Sequence, residues 1–296
     1  MSGLEFVNFY LIPGLVLGCI YAISAVGLSL LFGILRFANF AHGDMMSWGG
    51  YSALVAVTFL GIGPWASIPV AIVSTVALGL LVQRLFYGRL KGANSVVLLI
   101  SGFGVALMIR AILYFLFGPT EVTYGLGIQR PFVWEGFRIQ WRHMYFIGTA
   151  VAIVTALHLF LTRTRTGKAM RAMSDNPDLA RITGIPTDRV VTVAWVIGAS
   201  LTAVAGVFLA IDTQLSPLMG FNLLLPTFAA AILGGIGKPY GAIVGGLVIG
   251  LAEEMSSLPL IDGQPLLTPA YKTGVAFAIL VAVLIVRPTG IFRSPQ

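Results

Sequence analysis

Few residues of this chain have the types and spacing that covalent or hydrolytic chemistry needs. His42, His143 and His158 do not stand at metal-ligand spacing from one another, and no Ser/His/Asp arrangement stands out. Gly237-Lys238 has the look of the end of a phosphate-binding loop, but Pro239 follows it and Ile232 sits where such a loop needs its first glycine. The expectation is a non-enzymatic chain with no catalytic residue, no metal site and no cofactor of its own. His42 is then expected as a buried, hydrogen-bonded side chain and the other two histidines as interfacial ones. What remains is a small set of charges embedded in apolar sequence: Asp44, Arg110, Glu253 and Glu254. Ionisable groups in such places mark functional sites by default.

The elements that hold these charges follow from composition. Of 296 residues, 57% are hydrophobic and 10% charged, against roughly 25% charged in ordinary globular chains. Apolar runs recur at 9–31, 45–60, 65–86, 95–117, 143–162, 190–211, 224–236, 241–256 and 270–286. Many approach the roughly 20 residues that a helix needs to span hydrocarbon, and none alternates as a barrel strand would. The expected fold is all-α: a polytopic transmembrane helical bundle of about eight spans with broken segments at 224–236 and 241–256, forming one domain over 1–296. The net charge of +7 needs no nucleic acid, because inner loops and anionic lipid headgroups account for it. With 163–189 placed inside, Arg36, Arg84, Arg89, Lys91, Lys238, Arg287, Arg293 and the six cations of that loop all face in. Only Arg130, Arg138, Arg142 and Lys272 face out, so the N-terminus is expected outside and the C-terminus inside. No Lys or Arg precedes Arg36, so the first span is expected to be retained; Cys19, the only cysteine, reads as a small buried hydrophobe.

Within that frame Arg110 lies inside a span, where an unpaired guanidinium costs at least about 2.5–3.5 kcal/mol. Its partner is expected among acids, carbonyls or a second subunit. Asp44 is expected to cap its helix, and Glu253 and Glu254 to lie near the outer end of a span within reach of solvent. Between 118 and 142 the external segment should form a hairpin, Phe132-Val133-Trp134 against Phe137-Arg138-Ile139, turning at Glu135-Gly136. Gly14/Gly18, Gly241/Gly245 and Gly246/Gly250 have the spacing of closely packed helices.

Three stretches interrupt the apolar pattern. Arg163–Arg189 holds six of the 18 basic residues. Within it Asn176 suits an N-cap, Pro177 the first helical position, and Gly184 followed by Pro186 a stop, which predicts a helix over 177–183. A helix that short is marginal alone, so it should be ordered by packing against a partner or by lying on headgroups. The other two are breaks, Arg36–Asp44 and Gly234–Gly241. Such breaks either line a cavity, with Asn39, His42, Gly43 and Asp44 on one side and Gly234, Gly235, Gly237 and Gly241 on the other, or are tight turns at the inner face. In the first case, helix N-termini near Gly43 and Gly241 would present free N–H groups to a carboxylate.

These same stretches carry a resemblance. Asn39–Asp44 (NFAHGD), Gly167–Arg189, Val196–Ala210 (VIGASLTAVAGVFLA) and Ile232–Gly246 (ILGGIGKPYGAIVGG) resemble, in the same order, the permease subunits of branched-chain amino acid ABC importers, the LivH-like family. The resemblance covers essentially the whole chain. It implies that 163–189 is the coupling loop, with Ala180, Gly184 and Ile185 matching the Ala-x-x-x-Gly core that touches the ATPase and Arg171, Asp178, Arg181 and Arg189 around it. It further implies two ABC ATPase subunits that bind ATP and Mg, an external solute-binding protein, a second, related permease, and a bacterial inner membrane. Arg110 departs from the family pattern, in which Gln or another polar residue is commoner. Hydrophobic amino acids are the implied solute, with urea or short amides as the alternative; a passive facilitator and an ion-coupled secondary transporter using Asp44, Glu253 or Glu254 remain as rivals from other classes.

Overall fold

The computed structural model describes residues 3–90, 92–125, 127, 130–134, 136–261, 264–265, 268, 271–287 and 290–292. Lys91 and Arg293, counted among the inner cations, and Glu135 of the expected turn lie outside them. Helix follows helix along the chain: α1 Gly3–Leu35, α2 Ala41–Leu60, α3 Ile68–Tyr87, α4 Ser95–Phe117, α5 Trp141–Arg163, α6 Arg165–Asp175, α7 Pro177–Ile182, α8 Thr187–Asp212, α9 Met219–Gly234, α10 Pro239–Met255 and α11 Lys272–Val286. Among the described residues the strands form two short hairpins, β1 Phe132–Trp134 with β2 Phe137–Ile139, and β3 Pro259–Ile261 with β4 Gln264–Pro265. In the first, Phe132 pairs with Ile139 and Trp134 with Phe137, the register expected of a turn at Glu135-Gly136. Helices α1, α3, α4, α5 and α8 are long and apolar enough to cross a bilayer, so the all-α membrane bundle read from composition is the fold that forms.

The chain divides into two compact units, one made of 1–25, 126–155 and 225–296, the other of 26–125 and 156–224. In the first unit, α10 uses two glycine faces. Gly241 and Gly245 lie against the backbone at Gly234 and Ala230 of α9, while Gly246 and Gly250 lie against Ala22 and Gly18 of α1. No Cβ fits at these positions. Lipid tails are as apolar as leucine, so helices in a bilayer gain little from burial and are held by such close backbone packing. This face also corrects one expectation: Glu253 is not in reach of solvent but 2% exposed, and accepts a hydrogen bond from Tyr21 Oη. It follows Gly246 and Gly250 on the face that packs on α1. Glu254 is only partly covered and pairs with Lys272 at 3.0 Å. Asn8 ties the first hairpin to α1, donating to Gly136 O and accepting from Arg138 N.

In the second unit α8 is the buried axis. Trp195 and Phe208 are fully covered, Gly206 lies against the backbone of Met46 and Gly49 against Ala203. The Tyr87 ring stacks on Trp195 with centroids 5.5 Å apart. Helix α2 begins at Ala41, earlier than the expected 45, and deep in the unit: Gly102 of α4 faces both Tyr87 Oη and the Phe40 backbone. Gly102 stands about two turns, or about 10 Å, into α4. The break at 36–40 is thus packed beside helices rather than hung from their ends.

Candidate functional site

The basic segment holds two helices, of which the sequence reading recognised one. In α6 Thr164 Oγ1 accepts from Gly167 N at 2.9 Å, Gly167 lies against the Phe160 carbonyl with no room for a side chain, and Met170 and Met173 are buried. That spacing of three is the signal that the surrounding charges obscured. Asn176 then caps α7, its Oδ1 accepting from Leu179 N at 3.0 Å, with Pro177 at the first position. The C-terminus closes as a Schellman motif: Ile185 N donates to Ala180 O at 3.1 Å, Gly184 N to Arg181 O at 3.2 Å, and Gly184 has φ +81°. The spacing of Ala180, Gly184 and Ile185 therefore has a local cause. Ala180 is buried at the base of the helix, whereas Leu179 is 54% and Ile182 81% exposed. Arg171, Asp178, Arg181 and Arg189 are exposed as well. Leu179 and Ile182 thus form a small apolar tip beside the charges of Asp178 and Arg181. A cavity of about 300 Å³ opens between Met173, Arg181, Asp188 and the aromatic group of Phe37, Tyr87 and Trp195.

From this segment a polar chain leads to the first break. Arg36, the one non-glycine residue with positive φ (60°) among the described residues, donates to the Ser174 carbonyl at the end of α6. Asn39 is 1% exposed; its Oδ1 accepts from Ala41 N at 3.1 Å and from Tyr87 Oη at 3.0 Å, while its Nδ2 has no partner. Asn39, one residue ahead of the N-cap Phe40, thereby satisfies the first N–H of α2, which Asp44 does not. Because α2 starts at Ala41, Asp44 stands inside the first turn instead of ahead of it, and its carboxylate is engaged elsewhere. Arg110 donates to it from two nitrogens, Nε to Oδ1 at 2.8 Å and Nη2 to Oδ2 at 3.0 Å. The guanidinium also lies 4.1 Å from the centre of the Phe221 ring. His42 is wholly buried, with Thr202 Oγ1 3.3 Å from Nδ1. Gly43 touches the backbone of Gly220, whose N–H donates to Ser47 Oγ at 3.0 Å. The first turns of α2 and α9 thus abut directly beside the Asp44–Arg110 pair. Phe221, Ser47, Tyr87 and Thr202 escaped the sequence reading, for nothing local marks them.

The second break lies in the other unit and is a four-residue turn. Gly235 has φ +105° and Gly237 φ +82°, Lys238 N donates to Gly235 O at 3.1 Å, and α10 restarts at Pro239, two residues before the expected Gly241. Gly234 and Gly241 press backbone against backbone across it. Gly290 in turn lies on Gly235, and Ile291 N donates to Leu233 O at 2.8 Å.

Residues 10–284 match the family model described as the branched-chain amino acid transport system / permease component. The chain belongs to that family. Among curated relatives of the permease, the branched-chain amino acid transport permease BraD of Pseudomonas aeruginosa is 32% identical, over 97% of this chain and 95% of that one. LivH of Escherichia coli, another high-affinity branched-chain amino acid permease, is 34% identical over 96% and 94%. An inward-facing structure of a putative metal-chelate type ABC transporter shares the fold, with a TM-score of 0.54 at 17% identity over 95% of this chain and 88% of that one.

Proposed function

We propose that the permease is one half of the membrane pathway of an ATP-driven importer for branched-chain or other hydrophobic amino acids, acting as a single domain in a bacterial inner membrane. The observation that carries the coupling part of this reading is α7, a short capped helix whose Leu179 and Ile182 stand exposed beside Arg181. Such a helix fits a groove on a soluble partner, with apolar anchors seated and cations at the rim. The partner in this reading is a pair of ABC ATPases, which bind ATP and Mg and perform the hydrolysis. One chain offers one such helix, so two ATPases call for a second, related permease. A solute-binding protein delivers the amino acid on the outer side, and the solute passes the region of Asn39–Asp44. The excess of cations in 163–189 supports an N-terminus outside and a C-terminus inside.

The link from α7 to the pathway runs through α6 and Arg36. A movement of α7 carries α6 with it, and Arg36 holds the end of α6 to the break at the start of α2. The experiment is co-purification with the two ATPases and the second permease, followed by uptake of leucine into proteoliposomes with the binding protein outside and ATP inside. The reading requires ATP-dependent accumulation. An assembled complex that accumulates urea or short amides but not leucine would remove the amino acid from it.

A further inference from the structure

The Asp44–Arg110 pair is more than a fastening between α2 and α4. Asp44 is 0% exposed and Arg110 13%, and a buried ion pair often fails to regain the hydration that its two charges surrender. Packing between α2 and α4 alone therefore does not call for this pair. Phe221, lying over the guanidinium, is 37% exposed and belongs to the first turn of α9, which itself abuts the first turn of α2 at Gly43 and Gly220. Five residues before Asp44, the buried Asn39 Nδ2 is a donor with no partner.

We infer that Asp44 and Arg110 form a transit site for a zwitterionic α-amino acid, opened by exchange of partners. The incoming ammonium takes the place of the guanidinium on Asp44, and the incoming carboxylate takes the place of Asp44 on Arg110. One bidentate ion pair is replaced by two ion pairs, and the site stays electrically balanced at every stage. The positive ends of the α2 and α9 dipoles favour the carboxylate further, and the Phe221 ring offers an apolar face to the side chain. An uncharged solute such as urea brings nothing to exchange, so the pair stays closed against it. This inference rests on the amino acid reading given above and names how that solute is recognised inside the permease.

The test uses the complete complex in proteoliposomes with its binding protein and leucine as the probe, scored as leucine accumulated per ATP hydrolysed. The double variant Asp44→Asn/Arg110→Gln removes both charges together and leaves neither unpaired. The expected result is a loss of roughly ten- to a hundred-fold in that ratio, the scale of losing charge-assisted hydrogen bonds. A double variant with the parental ratio would show a fastening only and overturn the site. A second measurement covers a variant that does not assemble: Phe221→Cys in a Cys19→Ala background is modified with a methanethiosulfonate reagent during turnover. Leucine should slow the modification severalfold and urea should not; equal rates with and without leucine overturn the site. If the parent complex itself accumulates no leucine, the amino acid reading falls and this inference with it, whereas a parent that accumulates leucine without protecting Phe221→Cys refutes the transit site alone.

Discussion

Arg110 and Asp44 depend on one another for stability as well as for any part in transport. Replacing Arg110 with leucine leaves a fully buried carboxylate without its partner, which costs about 3–5 kcal/mol. The single variant should therefore melt well below the parent in detergent, while Asp44→Asn/Arg110→Gln should recover most of the loss. Equal melting of the single variant and the parent would mean that water or lipid headgroups reach the pair. Glycine contacts give a sharper contrast. A Cβ at Gly220 would overlap the Gly43 carbonyl, and one at Gly148 would meet nothing within 4 Å. Gly220→Ala should thus destabilise by about 1–3 kcal/mol or more, whereas Gly148→Ala, inside α5, should be neutral or gain up to about 1 kcal/mol of helix propensity. Similar melting temperatures for the two variants would contradict the packing described for α2 and α9.

Among the elements, α7 has the clearest local logic. Gly184 has φ +81° and no atom within 4 Å of where a Cβ would be, so a substitution there acts on the backbone alone. A left-handed conformation costs an L-residue roughly 1–2 kcal/mol, and a β-branched one more. Gly184→Val is expected to leave the permease folded and inserted while loosening the Schellman closure, seen as weakened ATPase co-purification and loss of ATP-dependent uptake. Stoichiometric ATPase together with full transport in that variant would remove α7 from the coupling role. This helix was legible in the sequence because its signals, Asn176, Pro177 and Gly184, act within a few residues of themselves. Helix α6 was not, since its buried residues Gly167, Met170 and Met173 are spread among cations that suggest a solvated loop. The start of α2 was missed for another reason: Asp44 directly before an apolar run looks like a cap, but Asn39 accepts from the first N–H of the helix and a distant Arg110 claims the carboxylate. No periodicity connects residues 66 positions apart in sequence. The apolar runs foretold the membrane-spanning helices and the glycine spacings their close packing, while the polar partnerships at the break needed the fold.

At the scale of the whole molecule, the proposed function makes the permease dependent on partners for energy and delivery. Single cysteines placed in the segments between helices of a Cys19→Ala background test its orientation. Residues of 163–189 and of 88–94 should react with an impermeant maleimide only from the inner side, and residues of 118–140 only from the outer side. Reaction of the 163–189 segment from outside would invert the scheme and take α7 away from any cytoplasmic ATPase. The most direct measurement of the central claim is leucine uptake by the reconstituted complex, with ATP enclosed or omitted and with ionophores that abolish proton and sodium gradients. The account predicts accumulation that requires ATP and persists in the presence of the ionophores. Accumulation without ATP, or its collapse when the gradients are removed, would contradict it.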